Sequence, residues 1–271
     1  MIVSFTVQKR CAFETALKNI GSKIRSASAA PLPEDFDDKK VSMIGNSKEV
    51  ESNQTGIHKD LEGLVLRYLH SEFQRPVASH TQEAFEKAQA FVASFQTPIV
   101  LDSGCGTGLS TLNLAKRFPA NPVIGVDKSE ERLSKADART ENGEPLPKNV
   151  FYVRAELLDF WKLAKEAEWD ICFHALFYPN PWPKGSGLRY RFHGSPIFPT
   201  LVQLSPELEM RTNWKIYADE FRFALELASK HLNWNAKISE EKFVPSEPIS
   251  AFEKKFQESG HALYKVRLLR G

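Results

Sequence analysis

Cysteine is scarce, with Cys11, Cys105 and Cys172 far apart in 271 residues. No two of them stand at metal-ligand spacing, and neither do the seven histidines. A disulfide framework or a zinc site is therefore not what organises this chain, and no metal is expected. Long apolar runs are also missing. None approaches the length that spans a bilayer, so no membrane association is expected and a soluble protein is the reading. A dominant charge sign is absent too. The formal charge of +2 permits a nucleic-acid partner without arguing for one. No internal repeat is visible.

Acids are rare at the start of the chain. Residues 1–31 carry Lys9, Arg10, Lys18, Lys23 and Arg25 against the single acid Glu14, and end in the small-residue run Ser26 to Ala30. Such a segment resembles an organellar transit peptide; the plainer alternative is a variable N-terminal helix. The expected compartment is the cytoplasm, or an organelle if this segment is a targeting sequence. From Pro31 to Thr55 the composition turns to Pro, Asp, Lys, Ser and Asn, which suits a linker. The division is an N-terminal arm over 1–55 and a domain over 56–271.

What is present is alternation. Leu61, Leu64, Val65, Tyr68 and Leu69 recur at helical spacing, as do Phe85, Ala88, Val92 and Phe95. Apolar strands follow at Pro98–Leu101, Val123–Val126, Val150–Val153 and Ile171–Phe177, separated by helical stretches. One of these runs from Glu130 to Ala138 and is ended by the Gly- and Pro-containing residues Asn142 to Pro147. Leu208–Arg211 is a further strand. Trp214, Tyr217, Ala218, Phe221, Leu225 and Ala228 then trace one helix face. A helix from Ile249 to Ser259, stopped by Gly260, and a strand from Ala262 to Leu269 close the chain. Strand–helix alternation of this kind predicts an α/β fold: a mostly parallel, doubly wound sheet of about seven strands with helices on both faces.

Two stretches carry chemistry. Asp102-Ser103-Gly104-Cys105-Gly106-Thr107-Gly108 lies between a strand and a helix, where glycines permit a tight turn and backbone amides favour an anion. The spacing is G-x-G-x-G rather than the dinucleotide fingerprint, because the third glycine of that fingerprint would fall on Leu109. Together with Asp127 at the end of the next strand, the loop resembles the cofactor loop of class I S-adenosylmethionine-dependent methyltransferases. The resemblance implies that Asp102, Gly104, Gly106, Gly108, Asp127 and Glu156 hold S-adenosyl-L-methionine. A carboxylate would meet its amino group, Asp127 its ribose diol and Glu156 its adenine side.

The second stretch is Phe177-Tyr178-Pro179-Asn180-Pro181-Trp182-Pro183-Lys184. Three prolines in five residues forbid further strand or helix, so the chain leaves its strand stiffly with an amide, an indole and an ammonium close together. Pro179-Asn180-Pro181-Trp182-Pro183-Lys184, Thr212-Asn213-Trp214 and Ser250-Ala251-Phe252-Glu253 are similar, in order and spacing, to motifs of the tRNA (guanine-N7)-methyltransferase family. Asparagine replaces the family's aspartate at 180 and again at 213, the basic cluster is thinned to Arg189 and Arg191, and a Pro-Gly-Gly turn is missing. The match spans about residues 60–271 and describes a diverged member.

The resemblance implies a Rossmann-like methyltransferase acting on tRNA or another RNA. Asn180 and Asn213 would act at the reacting base, with Trp182, Lys184, Arg189, Arg191, Ser250 and Glu253 on the substrate. Several of these have plainer readings: Trp182 as packing against the sheet, the basic residues as a solvated loop, Ser250 and Glu253 as a helix cap. Two other functions stay open. Amino-group methyltransferases acting on adenine N6 or glutamine amides carry Asn-Pro-Pro-aromatic at the same strand end, though here Pro183 follows the aromatic instead. Loss of two carboxylates is also compatible with a cofactor- or RNA-binding homologue without turnover.

Overall fold

A computed structural model of the protein describes residues 45–137 and 145–271. The basic segment 1–31, Cys11 and the helix end at Ala138 to Gly143 lie outside the described residues. The expected strands form β1 (Ile99–Ser103), β2 (Val123–Asp127), β3 (Val150–Arg154), β4 (Ile171–Phe177) and β5 (Glu207–Thr212). Beyond them come β6 (Ala236–Phe243) and β7 (Leu263–Arg270). They make one sheet in the order β3-β2-β1-β4-β5-β7-β6. Strands β1 to β5 are parallel, and β7 runs antiparallel between β5 and β6. Every residue of β1 and β2 is buried, as strands covered on both faces by crossover helices must be.

The sequence does not announce β6. Its residues Ala236-Lys237-Ile238-Ser239-Glu240-Glu241-Lys242-Phe243 are half charged because the strand pairs only with β7 and its other edge meets water.

The helices are α1 (Leu61–Leu69), α2 (Ser79–Val92), α3 (Leu109–Arg117), α4 (Glu130–Asp137), α5 (Leu157–Glu166), α6 (Phe198–Gln203), α7 (Lys215–His231) and α8 (Ala251–Glu258). Among the described residues none is long and apolar enough to cross a membrane. The apolar face of α7 buries Tyr217, Ala218, Phe221, Ala224, Leu225 and Ala228. Each large side chain there contributes roughly 1.5–3 kcal/mol of burial.

Amid that face stands Glu220, completely buried. Its carboxylate accepts from the His58 backbone N–H at 2.9 Å and from the Gln54 amide. It also accepts from the Arg191 guanidinium, and His193 Nε2 lies 2.8 Å away. Burial holds His193 below its usual pKa against the opposing pull of Glu220, and its Nε2–H donates to the carboxylate. Burial works against the charge on Glu220. The hydrogen bond from His193 and the Arg191 guanidinium outweigh it and hold the carboxyl down at about 2.

Gln54 and His58 belong to an extended strap, residues 45–59, whose first part, 45–55, falls in the stretch read as a linker. It lies along the sheet domain. The Gly45 N–H donates to the Glu258 carbonyl at 3.0 Å, the Ser47 N–H to Ser259 Oγ at 3.1 Å, and Ser52 Oγ to the Pro183 carbonyl. A Cβ at residue 45 would stand 2.8 Å from the Glu258 backbone, so only glycine allows this approach.

A native pKa below the unfolded value contributes stability at neutral pH that is lost as pH falls from about 4.5 through about 2. For Glu220 this amounts to on the order of 3 kcal/mol. Glu220→Gln should therefore flatten acid destabilisation in that window in urea titrations. Glu220→Ala, which strands the Arg191 charge, should cost about 3–5 kcal/mol at pH 7.

Candidate active site

The carboxyl ends of β1 to β5 converge on a cavity of about 510 Å³. It lies where strand order reverses between β1 and β4, the crevice in which doubly wound sheets take ligands. Gly104, Asp127 and Glu156 line one side, and Asn180, Trp182 and Asn213 line the other.

On the first side, Gly104, Gly106 and Gly108 all adopt positive φ, at 77°, 59° and 80°. At Gly108 a Cβ would also fall 2.5 Å from the Tyr152 hydroxyl and 2.6 Å from Ala136 Cβ. Asp127 is buried yet reaches the cavity. It accepts the Gly106 N–H at 3.0 Å and the Ser129 N–H at 2.8 Å, with Arg132 Nη1 at 3.4 Å. A carboxylate has about four lone-pair directions, so with three donors in place Asp127 keeps one, on Oδ1, for a ribose hydroxyl while bracing the glycine loop. Glu156, at the next strand end, is half-exposed beside Lys128 Nζ at 3.8 Å. Two acids flanking the glycine loop, with Leu157 and Leu158 beside them, suit a nucleoside better than a pyrophosphate.

Asp102 is not part of this wall. Alternation along β1 turns Ser103 toward the cavity and Asp102 toward α3, where Asp102 Oδ2 accepts from Ser110 Oγ at 2.6 Å and Thr111 Oγ1 at 2.7 Å. Oδ1 has no partner among the described residues. Asp102, expected among the residues that hold the cofactor, instead fixes the start of α3 and does not line the cavity. Burial pushes its carboxyl up to about 6 against the hydrogen bonds from Ser110 and Thr111. Ser103, which sequence reasoning passed over, is held by Trp161 Nε1 and His174 Nε2, each 2.8 Å from its Oγ.

On the second side, two non-glycine residues with positive φ, Tyr178 at 53° and Trp182 at 44°, bracket Pro179-Asn180-Pro181. Each such conformation costs roughly 1–3 kcal/mol and persists only where its surroundings enforce it. Tyr178 is enforced by its N–H to the Arg211 carbonyl at 2.7 Å and its hydroxyl to Glu253 at 2.8 Å. Trp182 is enforced by its carbonyl, which accepts from Arg191 Nε at 3.2 Å and Nη2 at 3.0 Å.

Asn180 Oδ1 accepts the Trp182 N–H at 3.3 Å, and the Asn180 amide N–H groups have no partner among the described residues. At Asn213 the hydrogen-bond network assigns the opposite. His261 Nε2 lies 3.0 Å from the Ser47 carbonyl, so it carries the proton, and Nδ1 then accepts from Asn213 Nδ2 at 3.0 Å. That leaves Oδ1 as the remaining acceptor of Asn213, a residue that lines the cavity. An aspartate at 213 cannot donate to His261, so asparagine fits this strap-to-site chain.

The family model described as "Putative methyltransferase" matches residues 96–266, from just before β1 into β7. The chain belongs to this methyltransferase family. S-adenosyl-L-methionine is its methyl donor. The tRNA (guanine-N(7)-)-methyltransferase of Leifsonia xyli subsp. xyli is 25% identical over 180 residues, 62% of this chain and 74% of its own. That of Pseudomonas paraeruginosa is 27% identical over 199 residues, 69% of this chain and 78% of its own. Among solved structures, an antibiotic-related methyltransferase superposes with a TM-score of 0.47 at 16% identity, over 69% of this chain and 93% of its own.

Several residues expected on the substrate lie elsewhere in this methyltransferase. Arg191 is fully buried, stacked on Trp214 and bonded to Trp182, Lys184, Gln54 and Glu220, so no donor face is open to phosphate. Ser250 caps α8 by accepting the Glu253 N–H at 3.1 Å. Glu253 is buried against Arg211, Tyr178 and the Ile249 N–H. These two are a helix cap and a platform anchor rather than substrate contacts. Lys184 and Arg189 are exposed outside the cavity. Lys48 and Val50 of the strap and Phe252 and Phe256 of α8 complete its wall. Phe252 stands inside the motif Ser250 to Glu253, whereas nothing in the local sequence marked Lys48, Val50 or Phe256, which arrive from elements remote in the chain. Among the described residues no group of three or more His, Cys, Asp or Glu can hold a metal ion.

Asp102 binds a proton more tightly folded than unfolded, so its contribution is full below about 3.8 and is lost as pH rises through about 6. Asp102→Asn should remove this slope in pH-dependent unfolding while leaving cofactor affinity nearly unchanged. Asp127→Asn should weaken S-adenosylmethionine binding by about tenfold or more in calorimetry, since charge-assisted acceptance and the loop brace go together.

Proposed function

We propose that this methyltransferase transfers a methyl group to guanine N7 in tRNA. The observation that carries the reading is the complementary pair of amides across the cavity from Asp127 and Glu156. Asn180 offers N–H donors, which suit guanine O6. Asn213 offers a carbonyl, which suits the N1–H and amino edge. Trp182, 43% exposed beside the cavity, offers a face for the base. The relatives' names give the same substrate. A tRNA substrate suits the cytoplasm, and we propose that compartment.

When bound, S-adenosyl-L-methionine supplies an electrophilic methyl group on sulfur. Guanine N7 carries an in-plane lone pair, so no residue must first remove a proton. The protein's work is alignment: Asp127 and Glu156 fix one partner and the amide pair fixes the other. Positive charge develops on the base, and the Asn213 carbonyl dipole meets it more weakly than a carboxylate would. The apolar lining of Leu157, Phe177, Phe252 and Phe256 limits water at the reacting atoms.

Amino-group methylation is less well supported, because the Asn180 oxygen that would accept from a target amine already accepts the Trp182 N–H. Full-length protein incubated with bulk tRNA and methyl-labelled cofactor should place label in 7-methylguanosine. Asn213→Ala should lower kcat about 10- to 100-fold with cofactor affinity retained. Label in N6-methyladenosine or in glutamine, or no transfer at all, would contradict the reading.

A further inference from the structure

Beside the active-site cavity lies a second groove of about 510 Å³, between α1 and the 3₁₀ segment Gly185–Tyr190. Lys59, Arg67 and Arg189 line it. All three are exposed, and none forms an ion pair with a carboxylate among the described residues. His58 and Asp60 also line it, 3.8 Å apart, so three cations face one acid. Long cationic side chains left unpaired around a concavity focus a positive field there.

The groove is shaped as well as charged. Gly63 lies inside α1, where glycine is a poor helix former, and nothing stands within 4 Å of where its Cβ would be. Across the groove, the position a Gly185 Cβ would take is 3.5 Å from His58 Nε2. Side chains at either position would narrow the channel.

The 3₁₀ segment that forms one wall ends in Tyr190, 66% exposed, whose ring lies 4.9 Å from that of Trp182 at 36°. Trp182 lines the active-site cavity. An exposed aromatic pair thus stands between the reacting site, which Trp182 lines, and the segment that walls the basic groove. Stacking surfaces beside an electrostatic channel are what single-stranded nucleic acid requires.

We propose that this groove binds the phosphate backbone of the single-stranded RNA flanking the target nucleotide, with Tyr190 stacking a neighbouring base. The inference rests on the RNA-substrate reading above. The family model begins at residue 96, so the α1 wall of the groove lies outside the matched region.

The test uses the full chain and an unmodified tRNA transcript. Filter binding across a salt series should show that Arg67→Ala/Arg189→Ala reduces the slope of log affinity against log salt by roughly 0.7 per lost phosphate contact. The KM for tRNA should rise about tenfold or more, with S-adenosylmethionine affinity unchanged. Gly63→Gln fills the groove and leaves all three cations without a new acid. It should raise KM similarly with thermal stability equal to or above wild type. Tyr190→Ala should weaken binding about tenfold with little change in salt slope. A wild type that methylates tRNA while these variants keep its slope and KM overturns the groove alone. A wild type that binds no RNA overturns both readings.

Discussion

The substrate side of this enzyme depends on two buried carboxylates that hold a strained turn. Tyr178 and Trp182 sit at positive φ on either side of Pro179-Asn180-Pro181. Glu253 fixes one end through the Tyr178 hydroxyl and Arg211. Glu220 fixes the other at one remove, because it anchors the Arg191 guanidinium that grips the Trp182 carbonyl. Prolines prevent the turn from relaxing into strand or helix, and the ion clusters choose which of the remaining conformations it takes. Neither carboxylate lines the cavity. Both act by making its wall.

The same clusters tie distant parts of the chain to the site. Glu220 and Arg191 both bind Gln54, and Asn213 reaches the Ser47 carbonyl through His261. The strap is therefore coupled to both asparagines' neighbourhoods, and it adds Lys48 and Val50 to the cavity. On the cofactor side the division of labour is simpler. Asp127 braces the glycine loop and faces the cavity, while Asp102 holds the helix behind the loop. Asp127 is the last residue of β2 and Asp102 the last but one of β1, so the pleat turns one to the cavity and the other away from it.

Most of the architecture was legible in the sequence. Buried parallel strands are continuous apolar runs, and the glycine loop and the proline turn mark the ends of β1 and β4. The edge strand β6 was not legible, since its charges follow from its exposure. Site residues were harder to read for a physical reason. Arg191, Ser250 and Glu253 are polar residues in suggestive motifs, yet burial with mutual hydrogen bonding converts them from substrate contacts into supports. Asp102 needed the strand register, and residues 45–59 needed long-range contacts to show that a polar, proline-poor segment packs on the domain. The asparagines at 180 and 213 were visible as departures. Only the His261 link shows why an amide suits position 213.

The central claim is that Arg191 acts on catalysis by holding the Trp182 carbonyl and not by touching substrate. Arg191→Lys keeps the charge beside Glu220 but cannot reproduce the guanidinium fork. Single-turnover methyl transfer from saturating cofactor to saturating tRNA should slow by about 100-fold, the scale of a misplaced reacting group, with the dissociation constant for S-adenosylmethionine unchanged. A variant that turns over at the wild-type rate, with an elevated KM for tRNA alone, would contradict the account and restore Arg191 as a phosphate contact.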